Sequence, residues 1–495
     1  MTRILIVADT CDTAKGGVPA FNQQFAVHAA EAGREVYMLV AAAGKEEKPE
    51  DVARTLPGVH VALVPNPVPA KEVQKGLLPL LLEDFVQHTP PGQVPKVPTV
   101  CWNGTAFAKG TLPRGTAKEG PAVVIGHSRF SGMAPGSIVK GPRNSIQDRH
   151  RPDDAWYPHA KYIHFVHMEI ELLGEVKEAL PPEIFWDVMR ETFCLVDADV
   201  IACAGRGVFE WVHRYRDYSK VTLPGMPITA RLHELVPGAD ITTPAPPFPA
   251  PKPDEPLRLI LLGRADDATK NAMGACRAVR FMTSDKEPPP EPHPAHLTLQ
   301  GMPKEKVDAY QKDVDRETRP LKEGSANRVA TVNPYVPRDQ IPQKIAEAHA
   351  VIIPSLSEAF ALVSFEALQA SRPALTTYNN GFARFLLDPD HVPLKLGEPF
   401  VVQDRGLKGA ARDDVWTKAL KNLKTDFTQL TTKAQTIRNI LQGYSWAHCA
   451  EAVLAAAHHQ PHEDTKQISG GKIKTAAPPP DPSPGQDPWE DHGEL

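Results

Sequence analysis

Both halves of this chain alternate short apolar runs with segments of helical period, the pattern of strands and crossover helices in a parallel sheet. In the first half the runs are ILIVA (4–8), EVYMLV (35–40), VHVALV (59–64), AVVIG (122–126), YIHFVH (162–167) and DVIAC (199–203). In the second they are LRLILLG (257–263), HLTLQG (296–301), AVIIP (350–354), PALTT (373–377) and PFVVQ (399–403). Proline marks the division: the chain carries 51 in 495 residues, where ~5% is usual. The stretch 243–256, TPAPPFPAPKPDEP, cannot be a helix or an internal strand, because proline lacks the N–H and fixes φ. It reads as a stiff extended linker between a domain at 1–242 and a second beginning at 257. A second cluster, EPPPEPHP (287–294), reads as a surface loop, and residues 465–495 hold too few apolar side chains to pack, so a disordered tail is expected.

The expected fold is therefore α/β, with two Rossmann-like, doubly wound parallel-sheet domains facing across a cleft. Such sheets bind ligands at the carboxyl ends of their strands, so the loops just after the strands are the ones to inspect. Length agrees, since 495 residues exceed one ordinary core. Lys+Arg 55 against Asp+Glu 60 gives a net charge of -5, without the basic surplus of a nucleic-acid binder. No run of ~20 apolar residues offers a membrane span, and Ile4–Ala8 is too short and lacks a cleavage-type region. Membrane contact is expected to be peripheral at most. The six cysteines (Cys11, Cys101, Cys194, Cys203, Cys276, Cys449) are scattered with no CxxC pair, which suits reduced thiols in a cytoplasmic protein.

Four strand ends carry chemistry. After 4–8 come Gly16 and Gly17, then a helix with Phe21, Phe25 and Ala29 on one face and Gly33 at its C-cap. A Gly-Gly pair entering a helix lets backbone amides approach an anion, or is simply a tight turn. After 122–126 comes His127, placed to meet a substrate hydroxyl or to serve as a structural histidine. His164 and His167, at and near the end of the next strand, read as structural. After 257–263 come Arg264 and Lys270, two cations across one turn. They suit a leaving diphosphate, or form a solvated basic turn. The richest segment is Pro354-Ser355-Leu356-Ser357-Glu358-Ala359-Phe360-Ala361-Leu362-Val363-Ser364-Phe365-Glu366. Glu358 precedes a helix, where it binds substrate or caps the helix. Glu366 is an acid in an apolar helix and needs a partner, either paired ribose hydroxyls or an ion-pair cation.

Glu358-x7-Glu366 after an apolar strand and Pro-Ser resembles the signature of the GT-B retaining glycosyltransferases of family 4. The Gly-Gly loop, the mid-domain histidine, Gly263-Arg264-x5-Lys270 and the late Tyr444-Ser445-Trp446 agree in order, over roughly residues 1–460. The resemblance implies a nucleotide-sugar site in 257–443 and a helix at 444–464 returning to the N-terminal domain. It implies that Arg264 and Lys270 hold the diphosphate, Glu366 the ribose and Glu358 the hydroxyls of the transferred sugar. Amides of Ala359, Phe360, Ala361 and Leu362 would bind phosphate and sugar oxygens; His127 would contact the sugar near the reacting carbon. Gly16 and Gly17 would approach the diphosphate or the acceptor. The donor is a substrate; no cofactor and no metal are implied, and the acceptor is a small molecule, lipid or glycan. The resemblance also implies front-face attack with the leaving phosphate taking the acceptor proton, which would leave the protein to orient and to stabilise charge.

This chain departs from the family pattern where glycine is usual: Ala359 and Ala361 in Glu-Gly-Phe-Gly, Asn271 after the lysine, and Ser371 before x-Pro. A positive φ at an alanine would cost ~1–2 kcal/mol. These departures motivate a second expectation, a catalytically weak nucleotide-sugar sensor. A phosphorylase is a third, disfavoured because no lysine motif for a pyridoxal cofactor is present.

Overall fold

Thirteen parallel strands in two sheets organise the described residues, seven in the first half of the chain and six in the second. The computed structural model describes residues 2–8, 10, 17–41, 56–64, 120–128, 133–141, 153, 155, 157–177, 179, 181–222, 227–238, 249–252, 255–283, 294–318 and 328–458. Gly16, most of 243–256, residues 287–293, and the tail from 459 onward lie outside the described residues.

The first sheet runs β1 (Arg3–Ala8), β2 (Glu35–Ala41), β3 (Val59–Val64), β4 (Val123–His127), β5 (Lys161–Val166), β6 (Val200–Ala204) and β7 (Arg231–Leu235), in spatial order β3-β2-β1-β4-β5-β6-β7. The second runs β8 (Leu257–Leu262), β9 (Ala295–Met302), β10 (Ala330–Pro334), β11 (Ala350–Ile353), β12 (Ala374–Thr377) and β13 (Val401–Val402), in order β10-β9-β8-β11-β12-β13. Each order reverses direction once, between β1 and β4 and between β8 and β11. Those are the switch points where a doubly wound sheet opens a crevice at its carboxyl edge.

The first half adds helices α1 (Gly17–Glu31), α2 (Met133–Lys140), α3 (Ile170–Val176), α4 (Pro181–Asp197) and α5 (Arg206–Thr222). The second half adds α6 (Ala272–Arg280), α7 (Val307–Glu317), α8 (Ile341–Ala346), α9 (Leu362–Gln369), α10 (Gly381–Leu387), α11 (Leu394–Gly397), α12 (Gly409–Thr425), α13 (Phe427–Leu441) and α14 (Trp446–His458). The periodic face of α1 is buried as expected through Phe21, Phe25 and Ala29. Gly33 ends that helix at φ 78, and its N–H bonds the carbonyl of Ala30. Residues 1–465 form one compact unit. Within it, α14 crosses back to the first half, burying Trp446, Cys449, Ala450 and Val453 among Phe21, Phe25 and Phe165.

Two strands escape the sequence reading, β7 (RLHEL) and β10 (ATVNP). Both are edge strands of their sheets. An edge strand needs one buried face at most and tolerates charge and proline, so neither segment shows the continuous apolar run by which the interior strands are recognised.

Candidate active site

The crevice between β8 and β11 begins with glycine. Gly263 follows β8 at φ 139, and Gly301, at the end of β9, has φ 125. A Cβ on Gly301 would lie 2.4 Å from the Gly263 carbonyl, and one on Gly263 would lie 3.3 Å from Lys270 Cε. Only glycine lets these strand ends meet while the lysine stem passes over them. Beyond them the turn carries Arg264 outward and folds Lys270 back. Arg264 donates to the carboxylate of Asp267, which accepts from Thr269 N at 3.0 Å and Thr269 Oγ1 at 2.7 Å. Burial disfavours the Asp267 carboxylate. The Thr269 bonds and the charges of Lys177 and Arg264 nonetheless hold it below its ordinary range.

Lys270 donates from Nζ to Glu358 Oε2, and Ser355 Oγ donates to the same oxygen at 3.2 Å. The Leu356 N–H meets the Thr269 carbonyl at 2.7 Å. The two signature loops are thus zipped together by both backbone and side chain. The capping alternative for Glu358 is not realised, because the residue preceding α9 is Ala361, with no side-chain cap. Glu366 is 2% exposed. It receives a fork from Arg338, with Nη1 to Oε2 at 3.1 Å and a shorter contact from Nη2 to Oε1. Arg338 follows β10; overlooking that strand also hid the cation at its end.

The departures from glycine have a conformational meaning. Among the described residues, the non-glycine positions at positive φ are Ser128 (48), Asn271 (50), Ala361 (58) and Ser371 (61). Three of the four are positions where the family pattern usually has glycine. The backbone keeps the left-handed turn, and the side chain bears the strain. Ala359 is the exception and is not left-handed.

At the first sheet's switch point, His127 ends β4 with 2% exposure. Its Nδ1 lies 3.0 Å from His167 Nε2, with the rings stacked 5.3 Å apart. Burial, then the charge of His167, pushes His127 well below the usual imidazole range, and burial takes His167 down to about 3. Both rings are neutral near pH 7, so the contact is N–H to N between imidazoles. His164 is structural as expected, held between Glu191 at 2.8 Å and the Tyr162 hydroxyl at 3.0 Å. Gly17 opens α1, and among the described residues no atom beyond its own helix and chain neighbours lies within 4 Å of where its Cβ would stand.

The second sheet's site loop lies where the two halves meet. A Cβ on Gly205, just after β6, would come 2.9 Å from Phe360 Cδ2 and 3.1 Å from Gly381 Cα. Gly381 N donates to the Ala359 carbonyl at 2.6 Å. Ala359 packs on the first half's core, and Leu362 touches the cores of both halves. Lys177, after α3, stands 4.0 Å from Asp267 across the cleft. The structure therefore joins Lys270 to Glu358 at the head of the Ala359–Leu362 segment, leaves Arg264 paired with Asp267 in the turn before Lys270, sets Glu366 one helix turn and more behind that segment, and puts His127 at the opposite switch point.

Comparison with known proteins agrees with this fold. A model of the family described as "Family 4 Glycosyltransferase in conflict systems" matches residues 5–453. No curated protein sequence matches. Among solved structures, sucrose-phosphate synthase of Thermosynechococcus elongatus is 16% identical with a TM-score of 0.59, over 91% of this chain and 97% of its own. HepE of Anabaena, solved with UDP and glucose, is 12% identical with a TM-score of 0.55, over 92% and 99%. A mutant of TarM from S. aureus, solved with fondaparinux, alpha-GlcNAc-glycerol and UDP, is 9% identical with a TM-score of 0.59, over 93% and 100%. At these identities the likeness speaks for the fold, GT-B, while the family model spans nearly the whole chain. The chain belongs to the family 4 glycosyltransferases of conflict systems.

Proposed function

We propose that the protein moves a sugar from a nucleoside-diphosphate sugar to an acceptor with retention of configuration and without a metal. The observation that carries this reading is the Lys270–Glu358 contact joining the loops after β8 and β11, with Arg264 in the same turn as Lys270 and buried Glu366 behind them. A diphosphate would draw Arg264 from Asp267 and Lys270 from Glu358. Two cations then neutralise the charge that develops on the leaving group. Releasing Lys270 frees Glu358 Oε2 to accept from a sugar hydroxyl, and Ser355 Oγ stays beside it. The Leu362 and Val363 amides at the start of α9 add donors for phosphate oxygens. Glu366 takes ribose hydroxyls in place of, or alongside, Arg338. His127 meets the sugar as a neutral imidazole, which can donate or accept but brings no positive charge. The left-handed backbone at Ala361 supports an active enzyme over a sensor, because the turn that glycine would supply is kept.

Because HepE and TarM were solved with UDP, uridine donors come first in the test. Thermal shift against UDP-, GDP- and ADP-sugars identifies the base; a ligand at 100 times its Kd adds about 2.7 kcal/mol. Proton NMR of the first product from an α-linked donor should then show the α anomer. A β product contradicts retention. Binding of a nucleotide-sugar without any turnover favours the sensor.

A further inference from the structure

Behind the site loop lies an ion pair that the proposed chemistry does not use. Asp404, just after β13, is 1% exposed, and Arg412, in the first turn of α12, is 5% exposed. Arg412 donates to Asp404 Oδ2 from Nε at 2.9 Å and from Nη2 at 2.8 Å. Asp404 is further satisfied by Thr377 Oγ1 at 2.7 Å, Tyr378 N at 3.1 Å and Trp416 Nε1 at 2.9 Å. The same Arg412 Nη2 reaches the carbonyls of Pro354 and Ser355, each at 3.0 Å. Those two carbonyls begin the loop that carries Glu358.

The pair holds the other flank of that loop as well. Thr377 and Tyr378 lead into Asn380, whose side chain bonds Thr376 Oγ1 at 2.6 Å and the Thr377 carbonyl at 3.0 Å. Asn380 forms a parallel bridge with Glu358, and its neighbour Gly381 donates to the Ala359 carbonyl. One guanidinium and one carboxylate therefore tie the ends of β11, β12 and β13 to α12, with the Glu358–Ala359 backbone held between. A buried pair of this kind is weak as a source of stability. Well-packed apolar residues often replace one without loss, so stability alone does not account for the pair.

We propose that Arg412 and Asp404 are positioning residues that fix the Pro354–Ala359 backbone, and through it Ser355 and Glu358, for sugar transfer. The inference rests on the transferase reading for its kinetic arm and on backbone order alone for its other arm. Lysine at 412 keeps the charge but loses the planar fork, so it cannot serve the carboxylate and both carbonyls together.

The test uses the full chain with Arg412→Lys, the apolar pair Asp404→Leu/Arg412→Met, and Trp416→Phe, which removes one bond to Asp404 and keeps the ring. Hydrogen exchange should quicken at least tenfold in the peptide spanning 355–361 in the first two variants. Peptides from β8 and β9 should be unchanged. Trp416→Phe should show a smaller change of the same sign and covers the case in which the apolar pair fails to fold. With a nucleotide-sugar that the wild type turns over, kcat should fall at least tenfold in Arg412→Lys, with affinity for the bare nucleoside diphosphate held within threefold. Unchanged exchange at 355–361 in Arg412→Lys and Trp416→Phe overturns the proposal, as does unchanged kcat. A wild type that neither binds nor turns over any nucleotide-sugar defeats the transferase reading instead, and the exchange arm still decides the inference.

Discussion

Arg338→Ala strands the more deeply buried of the two signature glutamates. Glu366 is 2% exposed, so its carboxylate is left in a largely buried position without its matching cation. Leaving one member of a buried pair unmatched costs about 3–5 kcal/mol. Arg338 keeps 28% of its side chain in contact with solvent, which screens the pair and points to the lower end, about 3 kcal/mol. For a domain of ~200 residues each kcal/mol moves Tm by about 2–4 °C, so calorimetry should show melting lowered by about 6–12 °C. Arg338→Met/Glu366→Leu removes both charges at similar volume and should recover most of that loss. If ribose hydroxyls also satisfy Glu366, a saturating nucleoside diphosphate should recover part of it in Arg338→Ala. Melting of Arg338→Ala within about 2 °C of the wild type, or a charge-free double variant that melts lower than the single one, contradicts a costly unmatched Glu366.

Further outcomes follow from the same contacts. Arg264→Ala and Lys270→Ala should each weaken nucleoside-diphosphate binding by about 1.5–3 kcal/mol in isothermal titration; unchanged affinity in both removes them from the site. Ala361→Gly relieves about 1–2 kcal/mol of left-handed strain but gives up roughly 0.8 kcal/mol of buried methyl. Stability by denaturant titration should therefore move by less than about 1 kcal/mol, and a loss above about 2 kcal/mol contradicts the strained turn. His167 is depressed to about 3, so the unfolded chain takes its proton first. Stability from this group is intact above pH ~6.5 and falls as pH drops toward the folded value, by about 1.4 kcal/mol per pH unit. Replacing His167 with Gln should flatten the stability profile between pH ~6.5 and ~5 by that slope; an unchanged slope refutes the buried neutral ring. Transfer should persist in excess chelator, and abolition with rescue by manganese or magnesium overturns the metal-free mechanism.

Much of the fold is legible because interior strands of a parallel sheet are buried on both faces and must be apolar throughout. All nine interior strands announce themselves in this way, as do the edge strands β3 and β13, while the edge strands β7 and β10, with charged residues or proline in their runs, do not. The candidate site divides along the same line. Residues on loops next to apolar strands, Arg264, Lys270 and Glu358, are visible from position alone. Arg338 lies beyond an overlooked strand, and Arg412 and Asp404 lie beyond β13 with nothing local to mark them. Arg338 meets Glu366 28 residues away and Arg412 meets Pro354 58 residues away in sequence, distances that only the folded chain closes. The glycine departures were visible, but not that Asn271, Ala361 and Ser371 keep the left-handed turn while Ala359 does not.

The most direct test of sugar transfer at this crevice compares Glu358→Gln with the wild type in two numbers, kcat with a nucleotide-sugar and Kd for the matching bare nucleoside diphosphate. Glu358 meets Lys270 and Ser355 at the place proposed for the transferred sugar, and a bare diphosphate carries no sugar to miss it. Loss of a hydrogen bond to a carboxylate is worth about 1.5–3 kcal/mol, so kcat should fall by about tenfold to a hundredfold while Kd does not weaken and tightens where the diphosphate no longer has to draw Lys270 from its carboxylate partner. Equal kcat in the two proteins, or a Kd that weakens as much as kcat falls, contradicts the assignment of Glu358 to the transferred sugar.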